Sequence, residues 1–216
     1  MPKIMWTAMK LTVFFSLLPL LTISLPCIAS NTIQLVYDTE GEPLNSYNAY
    51  YVLPAKHIDD KLFLTTKRIH HHGCLYHVVL ESNMTIRTNM EFTPLPPPPP
   101  PPRDVNIVPI HLSSDVWIET NDLSSLCAKM LPWHLTDQTP NSSLGSTQYV
   151  AAGNKEGTWS PLVFRIERHG ADMTGYKLVV CANKGPCKDL GLRTYNGNMW
   201  LTVSNEPFMV VFMKAT

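Results

Sequence analysis

Seven consecutive prolines, Pro96 to Pro102, with Pro94 ahead and Arg103-Asp104 behind, constrain this chain more than any other feature. Proline holds φ at roughly −65° and has no N–H to donate, so the run is excluded from helices and from central strands. It is expected as a stiff polyproline II rod, about 22 Å long at about 3.1 Å per residue. Such a rod either joins two domains or projects from one.

The cysteines bear on that choice. The chain opens with Lys3 and Lys10, an uncharged apolar stretch from Leu11 to Leu25, and the small-residue close Cys27-Ile28-Ala29-Ser30. This is the pattern of a secretory signal peptide cut near Ala29 or Ser30. Residues 1–29 are therefore expected to be removed, leaving 30–216 as a single domain with a proline-rich loop at 94–102. Elsewhere no apolar run approaches the roughly 20 residues that span a bilayer, so no membrane partner is expected after cleavage. Cys27 leaves with the signal, and Cys74, Cys127, Cys181 and Cys187 remain. An even set in an oxidising compartment reads as two disulfides, with three connectivities open. If Cys74 pairs with Cys127, the prolines lie inside one closed covalent loop, which argues against a linker between independent domains.

Charge narrows the partners. Removal of Lys3 and Lys10 leaves 15 basic against 17 acidic side chains, near −2, with no basic block. Nucleic acid is not an expected partner. Asn83-Met84-Thr85 and Asn141-Ser142-Ser143 are glycosylation sequons, so Asn83 and Asn141 are candidate glycan sites.

Short β-branched and aromatic runs, separated by turn residues, point to an all-β fold. The runs are 50–53, 105–110, 116–118, 164–167, 177–181, 200–203 and 208–213. Asp38-Thr39-Glu40-Gly41, Gly170-Ala171-Asp172, Asn183-Lys184-Gly185-Pro186 and Asn196-Gly197-Asn198 read as turns, and Asn205-Glu206-Pro207 as the turn of a hairpin. Periodicity alone does not separate a sandwich from a barrel. Trp117, Trp133, Trp159 and Trp200 are expected in the core or capping the barrel. His70-His71-His72, with His77 nearby, lacks Asp, Glu or Cys at ligand spacing and is read as an exposed loop, not a metal site. No cofactor and no catalytic machinery are expected, because the Gly-x-Ser-x-Gly elbow is missing and other Ser, His and Asp are scattered.

Two sets of motifs then carry a resemblance. Val36-Tyr37-Asp38-Thr39-Glu40-Gly41-Glu42-Pro43-Leu44, followed by Tyr50-Tyr51-Val52-Leu53-Pro54-Ala55, resembles the N-terminal signature of the soybean Kunitz-type trypsin inhibitor family. Gly157-Thr158-Trp159, Phe164-Arg165-Ile166-Glu167-Arg168, Tyr176-Lys177-Leu178-Val179-Val180-Cys181 and Cys187-Lys188-Asp189-Leu190-Gly191-Leu192 are similar to its closing strands. Leu201-Thr202-Val203 and Pro207-Phe208-Met209-Val210-Val211-Phe212 extend the likeness to the C-terminus. The resemblance implies a β-trefoil of twelve strands, disulfides Cys74–Cys127 and Cys181–Cys187, and a monomeric plant-type protein, secreted or vacuolar, that inhibits peptidases, serine peptidases first.

It also implies a site. The family's inhibitory loop follows the fourth strand, which maps here onto residues 93–105. Candidate contacts are Pro102, Arg103, Asp104 and Val105, with Arg103 or Asp104 in the specificity position depending on register. The family's loop-bracing asparagine aligns with Ser46, which Asn45 and Asn48 flank. Such a protein is a ligand for enzymes, not an enzyme. The competing reading is a non-inhibitory extracellular interaction module that displays the polyproline rod.

Overall fold

A computed structural model of the protein describes residues 34–56, 62–69, 74–82, 88–97, 108–121, 130–138, 147–153, 163–170, 175–182 and 185–215. They lie within one compact unit, Ile33–Thr216. The described residues form twelve strands and no helix: β1 Ala49–Pro54, β2 Phe63–Arg68, β3 Leu75–Glu81, β4 Asn89–Pro94, β5 Val116–Asn121, β6 Met130–Thr136, β7 Tyr149–Gly153, β8 Val163–Arg168, β9 Tyr176–Cys181, β10 Cys187–Tyr195, β11 Asn198–Val203 and β12 Met209–Lys214.

The antiparallel pairings have a simple order. β1 pairs β4, β4 pairs β5, β5 pairs β8, β8 pairs β9, β9 pairs β12, and β12 returns to β1. Six strands thus close on themselves, which removes the edges an open sheet would expose. The other six form three hairpins, β2–β3, β6–β7 and β10–β11, joined through β3, β7 and β11. The same four-strand unit therefore occurs three times along the chain.

The side-chain period of two fills the barrel. Tyr50 and Val52, Met90 and Phe92, Val116 and Ile118, Phe164 and Ile166, and Val210 and Phe212 all point inward and are buried. Phe212 lies edge-on to Phe92 at 5.2 Å between ring centroids and 5.6 Å from Tyr176. Beneath the hairpins a second cluster joins Val79, Tyr149 and Trp200. The His77 ring meets Tyr149 at 6.2 Å and Trp200 at 5.9 Å.

Several expectations need correction. His77 is 1% exposed and sits inside the hairpin layer, because strand β3 turns it inward between two aromatic rings. His70, His71 and His72 lie outside the described residues. Trp133 and Trp200 are buried as expected, whereas Trp117 is 38% exposed, since it occupies an outward position of β5 between inward Val116 and Ile118. Trp159 lies outside the described residues.

Of the strand expected over 105–110, residues 105–107 lie outside the described residues, and 108–111 form only isolated bridges, Pro109 to Asn45 and His111 to Leu35. Asn205-Glu206-Pro207 does not close a hairpin either. β11 belongs to the hairpin layer and β12 to the ring, so this segment crosses between layers, with Ser204 N–H on the Asp189 carbonyl and Phe208 N–H on that of Leu190. The Asn196-Gly197 turn does close the β10–β11 hairpin, with φ of 48° and 72°. Positive φ at both central residues matches the right-handed strand twist.

A disulfide joins Cys181 to Cys187, across the β9–β10 pair. Closing so short a ring is worth about 2 kcal/mol in the chain-entropy account. Cys74 is also disulfide-bonded, to a partner outside the described residues.

Candidate functional site

The segment that carries the prolines leaves β4 and returns at Val108. Its upstream end is fixed by the ladder, where Thr93 pairs Trp117 and Pro94 pairs Val116. One residue further, Leu95 N–H donates to the Asp115 carbonyl at 2.8 Å. The Asp115 side chain is held in turn by Arg165 of β8, with 2.6 Å between Nε and Oδ1. The Leu95–Pro96 peptide is cis.

The downstream end is fixed by the N-terminal signature. Asp38 Oδ1 accepts the N–H groups of Glu40 and Glu42 at 2.9 and 3.0 Å, and Gly41 takes φ of 82°. An aspartate bonded to its own following backbone and a glycine at positive φ are what a tight reversal requires. The reversal lays residues 35–46 beside 108–112. Val36 N–H donates to the Ile110 carbonyl at 3.0 Å, and Ile110 N–H to that of Leu44 at 2.7 Å.

Ser46 completes the clamp. It is wholly buried, its N–H donates to the Val108 carbonyl at 2.8 Å, and its hydroxyl oxygen accepts the Val108 N–H at 3.2 Å. Serine at this position therefore holds both polar groups of the residue that ends the loop. Asn45 and Asn48 act differently. The Asn45 amide donates to the Pro43 carbonyl at 2.8 Å, its N–H reaches the Tyr50 hydroxyl at 2.9 Å, and the Asn48 amide reaches that hydroxyl at 3.5 Å. They stiffen the bracing segment itself. Pro102, Arg103, Asp104 and Val105 lie outside the described residues, as do Asn83, Asn141 and Cys127.

Sequence reasoning missed Asp115, whose backbone carbonyl anchors the upstream end, and the exposed aromatics Tyr47 and Trp117. A backbone acceptor leaves no mark in sequence, and exposure follows from strand phase. Among the described residues no group of three His, Cys, Asp or Glu side chains gathers as metal ligands.

The outer face of β4 and β5 carries one unfavourable pair. Glu91 and Glu119 stand opposite each other in the ladder, and like charges so placed repel. Burial, and then Glu91, hold the Glu119 carboxyl above its ordinary 4.5. The fold thus retains that proton more readily than the unfolded chain, and ionising Glu119 is a penalty at neutral pH that fades as pH falls through the raised folded value towards 4.5 and is gone below it. Glu119→Gln is expected to raise the melting temperature at pH 7 by about 2 °C. The gain should disappear below that pH window, which thermal scans across pH will check.

The comparisons with known proteins agree with this geometry. Residues 36–214 match the Kunitz legume family, described as trypsin and protease inhibitor. The α-amylase/subtilisin inhibitor of Oryza sativa subsp. japonica is 33% identical over 204 residues, covering 92% of each chain. Kunitz-type trypsin inhibitor KTI1 of Glycine max is 28% identical over 95% of this chain and 97% of its own. Among solved structures, the rice bifunctional α-amylase/subtilisin inhibitor aligns with a TM-score of 0.62 and 30% identity, over 85% of this chain and 99% of that one. The chain belongs to the legume Kunitz family of trypsin and protease inhibitors.

Proposed function

We propose that the protein is a peptidase inhibitor that binds in the manner of a substrate through residues 93–105. The observation that carries this reading is the double clamp: Leu95 tied to Asp115 upstream and Val108 tied to Ser46 downstream. A loop whose ends are held in advance loses less conformational freedom on binding, and if cleaved its new termini stay in register for religation. The prolines between the clamps serve the same end, since each has φ fixed in advance and so less freedom to lose on binding.

On this reading the twelve strands are a β-trefoil, with Cys74 bonded to Cys127. Residues 1–29 direct the chain to the extracellular space or vacuole, and Asn83 and Asn141 are available for glycans. The protein acts as a monomer, without cofactor and without catalysis of its own. The contacts are Pro102, Arg103, Asp104 and Val105. The description of the rice relative as an α-amylase/subtilisin inhibitor favours a subtilisin-type serine peptidase alongside trypsin-type enzymes, and brings α-amylase in as a second enzyme partner.

The test is prolonged incubation with subtilisin-type, trypsin-type and cysteine peptidases, followed by inhibition assays and mass analysis. One cut within 93–105 is expected, and its position decides between Arg103 and Asp104 as the specificity residue. Replacing residues 96–104 with a short Gly/Ser loop should weaken inhibition at least a hundredfold. Unchanged inhibition would reject the site.

A further inference from the structure

Among the described residues, the exposed large apolar side chains are Tyr37, Tyr47 and Trp117. Two of them border the clamped loop. Trp117 is the cross-strand partner of Thr93, where β4 runs into the loop. Tyr47 directly follows Ser46, the residue that grips Val108 at the other end. The register relates them further. Ala49 opens β1 and pairs Glu91 of β4, so the turn that carries Tyr47 leads directly into the strand flanking β4 on one side, while β5 flanks it on the other. Trp117 follows on β5, and strands two apart are separated by about 10 Å. The two aromatics therefore stand on either side of the strand that feeds the loop.

Tyr47 is the more telling. It is 47% exposed, and its φ is 66°, in the left-handed region that disfavours side chains. It occupies the third position of a turn closed by Asn48 N–H on the Asn45 carbonyl at 3.4 Å. With φ positive there, such a turn takes glycine or asparagine. Among the described residues the ring makes no hydrogen bond, ion pair or aromatic contact that would repay the strained backbone. An aromatic side chain kept exposed at the expense of the fold, next to a loop clamped at both ends, has the chemistry of an interface anchor.

We propose that Tyr47 and Trp117 form a secondary contact surface that grips the peptidase outside its substrate cleft and helps select which peptidases are inhibited. The proposal rests on the inhibitor reading above. The partner it fits is a peptidase whose cleft rim offers apolar surface on both sides of the bound loop. Tyrosine and tryptophan supply large contact areas with few torsions to freeze, which suits them to slowing dissociation.

The experiment measures inhibition constants against a subtilisin-type peptidase and trypsin, with melting temperature and cleavage position read on the same samples. The variants are Tyr47→Asn, which suits the left-handed turn but lacks the ring, Tyr47→Phe, which keeps the ring, and Trp117→Thr, which suits an outward strand position. Tyr47→Asn and Trp117→Thr should each weaken inhibition about tenfold through faster dissociation, with the cut unmoved. Tyr47→Phe should stay within about twofold, and Tyr47→Asn should melt no lower than the parent protein. If the parent inhibits and both ring-deleted variants match it, this proposal falls alone. A Tyr47→Asn protein that melts well below the parent also overturns it, because the ring would then serve the fold. If the parent inhibits neither peptidase, the proposal falls together with the reading beneath it.

Discussion

Replacing Gly153 with alanine is expected to lower stability by about 4 kcal/mol or more, and the melting temperature by about 10 °C or more. Gly153 ends β7 at φ of 120°, where an L-side chain is strained, and a methyl group there would run into the Cys74 carbonyl oxygen. Both groups are backbone, held by the Leu75–Gly153 pair that joins β3 to β7, so neither yields as a flexible side chain would. Relief requires opening the ladder that links two of the three hairpins, beside a disulfide-bonded cysteine. Gly41 is the matched control. It also has positive φ, 82°, but nothing lies within 4 Å of an added methyl group. Gly41→Ala should therefore lose only the conformational part, about 1 kcal/mol. Calorimetric unfolding of the two variants separates clash from strain, and equal losses would refute the clash.

Phe212→Ala should lose about 3–5 kcal/mol. Its ring is fully buried inside the barrel against Phe92 and Tyr176, so truncation leaves a cavity walled by other rings. Chemical denaturation will report the loss. A slope unchanged from the parent would show that the barrel survives with a void, and a smaller slope that it has loosened. The backbone bond from Thr39 N–H to the Phe212 carbonyl, 2.8 Å, does not depend on the side chain and should persist.

These residues also show what could be read in advance. The strands over 164–167 and 208–213 were legible because a barrel wall with one buried face imposes alternation, and those over 50–53 and 177–181 because they are runs of β-branched and aromatic residues bounded by turns. β7 was not, since all five of its residues are buried and no alternation remains. β3 failed similarly, with five consecutive buried positions from Tyr76 to Leu80. β6 carries Pro132, which argues against a strand by composition, yet it pairs Glu119 in the β5–β6 ladder. The Asp38–Gly41 turn was plain, because its chemistry is local. The Ser46 clamp was visible only as a position, since its bonds to Val108 span 62 residues. Tyr47 gave no signal at all. A tyrosine in left-handed backbone looks like any other tyrosine until the turn around it is seen.

The closure of the ring by β1 and β12 has a temporal consequence. Tyr50 pairs Lys214, so the first and last strands of the barrel must meet, and contacts so distant along the chain form late. The bracing segment 43–46 leads straight into β1, and β1 is secured on one side by β12. The loop's own residues leave the ribosome long before the strand that steadies its frame. The frame that holds both ends of the loop is thus complete only once β12 has docked against β1, which makes that late pairing the step that sets the loop's geometry.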